Sequence, residues 1–572
     1  MNADSAMVGA TQVLGCGDAW LWQRARLTPN APALFFRGGE GGGVGAGVHG
    51  SVGDGACSGS DATCGNGDDG ARDSIVDALI ADASCGEPRC YDYAALVREA
   101  ESVALRLLSL GIGRGDRVAV RMASHPRLVV LVHAAQKIGA VLVPLNTHLG
   151  AAEIGPLLAH AEPRLLLLDE AASRAYQSAS LTPSPICLGV HADLDRVAIA
   201  KTVALPSQID PQTAWMIVYT SGTTALPKGV VLTSANHFAA AAASRQRLGH
   251  GAADVWLATL PLYHVGGLAI LARAVIEGSR VDLEDGFDAE RVRCAIENGP
   301  ATMISLVPTM LARLIESLRG PAHARLRCLL IGGAALSPAL AQRALASGLP
   351  IAATYGLSEA CSQLCTTLPG SADAGDGCVG APLPGVEVRI DSAGADGVGE
   401  LLARGANVSG GYFRNDGANT AAFGIGASAD ANTAKTPTQT AWLRTGDLAS
   451  VDTLGRVHIA CRRTDLIVSG GENVAPAEVE ALLEEHSGVG ECAVFGIDDH
   501  EWGQRVVALV ALRPGAQSLT AIDADQLRHW CRARLAAFKT PRLIRFVTAL
   551  PRNAGGKVDR RALAQAWEDA VG

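Results

Sequence analysis

Several common catalytic signatures are missing from this 572-residue chain. There is no H-E-x-x-H and no G-x-S-x-G, so zinc-dependent and nucleophile-elbow hydrolases find no support. The 14 cysteines are scattered without metal-ligand spacing. Cys85 and Cys90, or Cys361 and Cys365, come nearest to pairs. They read as small buried side chains or surface thiols of a reducing compartment, hence a cytoplasmic protein. Positive charge is not in excess either. A net charge of −9 speaks against nucleic acid as the main partner. At Met1-Asn-Ala-Asp-Ser-Ala no basic segment precedes an apolar run, so no signal peptide is expected. The most apolar stretch, Leu128–Leu145, is interrupted by His133, Gln136 and Lys137. A buried helix followed by a strand explains it better than a membrane span.

Large apolar residues nearly vanish from Gly38 to about Asp73, a stretch of Gly, Ser, Asp and Ala. It cannot bury enough surface to offset its ordering entropy and reads as a disordered or loose insertion. Its Gly45-Ala-Gly-Val-His-Gly50 matches G-x-G-x-x-G only formally, since no strand precedes it and no helix follows. Gly424–Thr440 reads as a second surface insertion.

Elsewhere 48% hydrophobic content and the chain's length imply a folded protein of two to four domains. Ala31–Arg37 reads as a strand, and order resumes at Tyr91 with helical spacing to Leu110. Strands and helices then alternate: Val118–Val120, Arg127–Ile138, Ala140–Pro144, Arg164–Leu168, and on to Leu326–Ile331. This is an α/β pattern with largely parallel sheets. After about Asp465 a helix (Ala475–Glu485), two strands (Val489–Ile497, Val506–Leu512) and a helix (Asp525–Leu535) suggest a compact α+β module. A site between two such bodies can open and close.

The strongest chemical signal is Tyr219-Thr-Ser-Gly-Thr-Thr-Ala-Leu-Pro-Lys-Gly229, between two strand-like runs. Gly222 permits close approach to a phosphate. Thr220, Ser221, Thr223 and Thr224 offer donors, and Lys228 offers a positive charge. The loop is not G-x-x-x-x-G-K-[ST], because Lys228 is followed by Gly229. A Ser/Thr-rich hairpin turn is the plain alternative.

Weaker stations follow. Tyr355-Gly356-Leu-Ser358-Glu359, after a small-residue strand, joins a ring that can stack on a base to a carboxylate that can hold Mg²⁺. Gly332-Gly333 follows the strand Cys328–Ile331 and leaves room for a flat ring. Asp447, at the end of a short strand containing Trp442, could accept from ribose hydroxyls, or simply sit in a turn. Arg462 marks the boundary of the C-terminal module. Ser469-Gly470-Gly471-Glu-Asn473 reads as a flexible loop opening a helix, and Lys557 lies on a glycine-rich loop. His264 stands in a loop beside paired glycines, where a packing role is commoner than a catalytic one.

In this order, these motifs resemble the adenylate-forming superfamily of acyl-CoA synthetases, luciferases and adenylation domains. The resemblance covers nearly the whole chain except the two insertions. It implies a large multi-subdomain N-terminal adenylating domain (1–461), a hinge at 462–464 that includes Thr464, and a small mobile α+β C-terminal domain (465–572). It implies ATP, Mg²⁺ and coenzyme A as cofactor or co-substrates, and a two-step reaction through an acyl-AMP. Residue by residue, Thr220 to Lys228 would hold phosphates, with Thr224 and Lys228 catalytic. Gly333, Tyr355, Gly356 and Ser358 would hold the nucleotide, and Glu359 would ligate Mg²⁺. Asp447 and Arg462 would hold ribose. Lys557 would bridge carboxylate and α-phosphate, His264 would gate the acyl pocket, and Ser469 to Gly471 would line the CoA channel.

Ala225-Leu226 departs from the usual Gly-Lys and removes a positive charge, Ser358 replaces threonine, and Thr464 replaces the commoner hinge residues. Strings such as Leu260–Ile270, Leu326–Gly333 and Asp465–Asn473 resemble the o-succinylbenzoate–CoA ligase branch, which serves menaquinone biosynthesis. Other aryl- or medium-chain acyl-CoA ligases, carrier-loading adenylation enzymes and non-catalytic ligand sensors remain the alternatives. The expected partner is a small-molecule carboxylic acid, with no nucleic acid and no membrane insertion, and a homodimer is left open.

Overall fold

The computed structural model describes residues 19–36, 89–169, 185–190, 192–220, 227–320, 324–334, 336, 338–374, 378–391, 393, 397–424, 441–461, 467–474, 476–513, 522–551, 558 and 560–570. Both expected insertions, except Gly424, lie outside these residues.

Two parallel-rich sheets carry the larger part. The first orders Ile186–Gly189, Leu165–Leu168, Arg117–Arg121, Val141–Pro144, Ala214–Thr220 and Lys228–Thr233. Only its last pair is antiparallel. The second sheet has nine strands. Its centre is parallel (Ile351–Tyr355, Cys328–Ile331, Met303–Leu306, Val255–Ala258, Arg280–Leu283, Pro32–Phe36), and antiparallel strands flank it at both ends.

These strands are apolar on both faces, as a sheet covered on both sides requires. Their alternation is sorted cleanly between layers. Val118, Val120, Leu142, Leu165 and Leu167 face the main core, whereas Ala119, Val141, Val143, Leu166 and Leu168 face the helix Ala151–Ala161. In the nine-stranded sheet Trp256, Cys328 and Leu330 face the same main core. Leu257, Leu329 and Ile331 face a separate cluster with Leu311 and Leu314 of the helix Pro308–Ser317. The main core therefore lies between the two sheets, filled by the helices Tyr93–Ser109, Pro126–Ile138, Ser234–Leu248 and Val265–Glu277.

The helices start and stop on local signals. Asp92 accepts from the Ala95 amide at 2.6 Å, so the helix begins at Tyr93. Tyr91 and Asp92 belong instead to a strand, Arg89–Asp92, that pairs with Pro32–Phe36. Pro126 opens the helix Pro126–Ile138, and Gly139 closes it at φ +70°. The apolar stretch Leu128–Leu145 is thus a buried helix and a strand. Among the described residues, no helix is long and apolar enough to cross a membrane.

At the C-terminal end, Ile467–Ser469, Glu472–Val474, Val489–Asp499, Gly503–Leu512 and Leu543–Val547 form a separate mixed sheet. Its two apolar clusters draw only on residues from Ile467 onward. Two expectations change here. Ser469–Asn473 is not a loop opening a helix but the turn of a hairpin, with Gly470 (φ +60°) and Gly471 (φ +85°) at its tip and the helix starting at Pro476. Asp447 does not end a strand. It lies inside Leu443–Val451, which begins after Trp442 and bulges near Leu448.

Trp215 pins the main core. Its Nε1 donates to the Val132 carbonyl at 3.0 Å, and its ring meets Trp20 edge-on at 5.3 Å. Replacing Trp215 by Ala removes a large buried ring and its donation to the Val132 carbonyl, and leaves a cavity in the core. Equilibrium denaturation is expected to show a loss of about 3–5 kcal/mol, and an unchanged midpoint would contradict this role for the ring.

Candidate active site

A cavity of ≈ 470 Å³ opens where the carboxyl ends of both sheets meet, the place where open α/β sheets bind ligands. Strand Arg117–Arg121 leads to Ala123 and Ser124, Val141–Pro144 to Thr147 and His148, and Ala214–Thr220 ends at Thr220. From the nine-stranded sheet come Thr259 to Pro261, Tyr263 to Gly266, Ser305 to Val307, Gly332-Gly333 and Gly356 to Glu359. Of the residues singled out from sequence, Thr220, His264, Gly333, Gly356, Ser358, Glu359, Asp447, Gly470 and Gly471 line this one space. Lys228, Tyr355 and Ser469 stand outside the cavity wall. Ser221, Gly222, Thr223, Thr224, Arg462, Thr464 and Lys557 lie outside the described residues.

Two of the site carboxylates, Glu359 and Asp447, are fixed by tyrosines. Glu359 is 4% exposed and accepts from the Tyr412 hydroxyl at 2.7 Å. The Lys228 ammonium lies 5.2 Å over the Tyr412 ring, so cation, ring and carboxylate form one chain. Asp447 is 5% exposed and accepts from the Tyr355 hydroxyl at 2.5 Å. Its backbone N–H donates to Thr445 Oγ1 at 3.1 Å. Among the described residues no three His, Cys, Asp or Glu side chains cluster as a metal-binding group. Glu359, a buried carboxylate on the cavity wall, nevertheless fits Mg²⁺, which takes few protein ligands and keeps phosphate and water oxygens.

The glycines keep the floor open. A Cβ on Gly332 would meet Thr354 Cγ2 at 2.7 Å. One on Gly356 would lie 1.6 Å from the Ser362 carbonyl oxygen. That carbonyl belongs to a tight return. Cys361 (φ +50°) and Ser362 (φ +94°) both adopt left-handed backbone, a conformation that non-glycine residues hold only when their surroundings enforce it. A buried network does so. Arg273 Nη2 donates to Gln363 Oε1 at 2.6 Å, and Gln363 Nε2 donates to Thr366 Oγ1 at 3.0 Å. Asn407 Nδ2 donates to the Ala360 and Gln363 carbonyls at 3.2 and 3.0 Å. Burial lowers the Arg273 guanidinium to about 10, so it stays charged at neutral pH.

The C-terminal sheet inserts a carboxylate into the cavity mouth. Glu472 follows the Gly470-Gly471 turn. Tyr263 OH donates to Glu472 Oε1 at 3.1 Å, Asn146 Nδ2 donates to Oε2 at 3.2 Å, and His148 Nδ1 lies 3.1 Å from Oε1. His264 Nε2 is 3.4 Å from Oε2 without hydrogen-bond alignment. Burial alone would raise the Glu472 carboxyl. The His148 hydrogen bond and the proximity of the His148 and His264 rings outweigh it and hold the group far below the usual carboxylate range. His264 itself is the N-cap residue of Val265–Glu277.

Sequence reasoning missed Tyr412, Tyr263, His148 and Glu472. Glu472 lies within Asp465–Asn473, directly after Gly470-Gly471, and those glycines were the available signal. Tyr412, His148 and Tyr263 become site residues only once distant strands are brought together.

Gly356→Ala tests the floor. Its new methyl cannot clear the Ser362 carbonyl without moving the Glu359 turn. Calorimetric titration with Mg²⁺ and nucleotide is expected to show affinity reduced at least about tenfold, and wild-type affinity would refute the crowded-turn reading.

The pattern of the AMP-binding enzyme family matches residues 72–413, and that of the AMP-binding enzyme C-terminal domain matches residues 478–557. The 2-succinylbenzoate–CoA ligase of Bacillus licheniformis is 37% identical over 474 residues, 82% of this chain and 93% of that protein. Two structures of the Bacillus subtilis o-succinylbenzoate CoA synthetase are 30% identical, covering 96% of this chain and 98% of theirs. A double mutant with the product analogue OSB-NCoA superposes at a TM-score of 0.79, and the complex with the acyl-adenylate OSB-AMP at 0.64. This chain belongs to the adenylate-forming family of AMP-binding enzymes.

Proposed function

We propose that this protein is an ATP-dependent 2-succinylbenzoate–CoA ligase acting in menaquinone biosynthesis. The observation that carries the reading is its likeness, over most of both chains, to ligases of that specificity. One of them accommodates both an acyl-adenylate and a CoA product analogue.

In the first step a carboxylate oxygen of the acid attacks the α-phosphorus of ATP, and the bond to pyrophosphate breaks. Two anions must meet, so the residues have to supply positive charge and fixed donors. Thr220, Ser221, Gly222, Thr223, Thr224 and Lys228 are assigned to the phosphates, and Lys557 to the carboxylate and α-phosphate. Tyr355, Gly356, Ser358 and Gly333 are assigned to the nucleotide, with Asp447 and Arg462 at the ribose. Glu359 is assigned as the Mg²⁺ ligand, and the bound ion would neutralise phosphate charge. Tyr412 supports this assignment by fixing one Glu359 oxygen while Lys228 lies over its ring.

In the second step the CoA sulfur attacks the acyl carbonyl carbon, and the bond to AMP breaks. Ser469, Gly470 and Gly471 are assigned to the thiol's approach, with His264 at the acyl pocket. The position of Gly470, Gly471 and His264 on one cavity wall favours that arrangement. Residues 1–461 and 465–572 are assigned as two domains that turn about 462–464. The nine cysteines whose side chains are described are free thiols, which suits the cytoplasmic location that goes with this reading.

Acid-dependent ATP–pyrophosphate exchange over a panel of aryl and aliphatic acids tests the substrate. 2-Succinylbenzoate is expected to give the fastest exchange, followed by its CoA thioester. Robust exchange with another acid and none with 2-succinylbenzoate would sink the assignment. Lys557→Ala is expected to lower exchange by two orders of magnitude or more (about 3 kcal/mol or more). Thioester formation from supplied acyl-AMP should survive within severalfold, and equal loss of both steps would contradict the role given to Lys557.

A further inference from the structure

Apart from the cavity, one buried charge cluster joins the C-terminal sheet to the rest of the chain. The Lys539 ammonium lies 2.8 Å from Glu478 Oε1 and 2.8 Å from Glu153 Oε1. The three side chains are 5%, 15% and 7% exposed respectively. Each end is anchored in a different core. Glu153 lies in the first turn of Ala151–Ala161, whose Ile154, Leu157, Leu158 and Ala161 pack on the six-stranded sheet. Glu478 lies on Pro476–Glu484, whose Val479 and Leu483 belong to the C-terminal core. The neighbouring Phe538 packs edge-on against His148 at 6.2 Å, and His148 in turn binds Glu472.

Two of the three charges move together. Lys539 and Glu478 belong to the same body and stay paired wherever that body goes. Glu153 joins them only in the present arrangement. Burial opposes charge on Lys539, and the two carboxylates overcome it. The contact with Glu153 therefore favours one arrangement over any other, and a conformational preference requires such a differential interaction. The arrangement it accompanies places Gly470, Gly471 and Glu472 on the cavity wall. The chain superposes better on the CoA-product-analogue complex than on the acyl-adenylate complex, at a TM-score of 0.79 against 0.64, with equal identity and coverage.

We propose that Lys539 is a positioning residue for thioester formation. By bridging Glu153 and Glu478 it holds the C-terminal body where its glycine hairpin meets the acyl site. The proposal rests on the acid–CoA ligase reading and adds a residue pair that touches neither substrate.

Full-length Glu153→Gln, Lys539→Met and Lys539→Arg enzymes test it, each assayed for two half-reactions beside wild type. Glu153→Gln is decisive, because the amide oxygen can still accept from the Gly150 N–H, as Glu153 Oε2 does at 3.1 Å, and the Lys539–Glu478 pair is untouched. CoA-thioester formation from supplied 2-succinylbenzoyl-AMP is expected to fall about tenfold in Glu153→Gln and Lys539→Met. Pyrophosphate exchange should stay within about twofold of wild type, and Lys539→Arg should recover part of the thioester rate. Equal loss in both half-reactions, or no loss in either, overturns the proposal. Should Lys539→Met melt well below wild type, Glu153→Gln alone decides. A wild-type enzyme that makes no 2-succinylbenzoyl-CoA refutes the ligase assignment and this proposal with it, and that is seen before any variant is compared.

Discussion

A parallel strand covered by helices on both faces must be apolar on both, and Leu165–Leu168 is leucine throughout for that reason. The same demand shapes both large sheets, whose alternate side chains are shared between a common inner core and separate outer clusters. It also decides where chemistry can occur. With both faces sealed by packing, polar side chains gather where strands end. Because the strands are parallel, many of their carboxyl ends open on one side. The two sheets turn those ends toward a single crevice, and most described site residues sit there. Packing thus places the site before any functional group is chosen.

Within the crevice, geometry is enforced by groups that lie behind the wall. Tyr355 and Tyr412 each commit a hydroxyl to a site carboxylate. The left-handed return at Cys361 and Ser362 is held by Arg273, Gln363 and Asn407, all deeply buried. Breaking any bond of such a network leaves a buried polar group without its partner, which favours this one conformation. Local strain at the Glu359 turn is thereby carried by the core behind it.

Much of this was legible in the chain. Periodicity gave the α/β character, the buried helix and strand within Leu128–Leu145, and the distinct C-terminal module. The glycine and carboxylate stations were readable because small residues after a strand leave an identifiable mark. Other features were not readable, for physical reasons. Arg89–Asp92 is a strand because its partner Pro32–Phe36 lies far back in the chain, and no local pattern reports such a pairing. Asp447 looked like a strand end because Gly446 (φ +75°) mimics a turn, yet the strand bulges and continues. The paired glycines before Glu472 mark a turn but not the carboxylate's role. Its partners Asn146, His148, Tyr263 and His264 come from two distant loops.

Glu153 serves two structures at once. Its Oε2 closes the first turn of its helix on the Gly150 N–H, and its Oε1 faces Lys539. Fraying of a helix end is normally a local affair, set by its own cap. Here the cap is steadied from outside, so opening of that turn is linked to where the C-terminal sheet stands. Were the C-terminal sheet to move as proposed, the amide protons around the Gly150 cap of Ala151–Ala161 would report it, legible by hydrogen exchange without any label on that sheet.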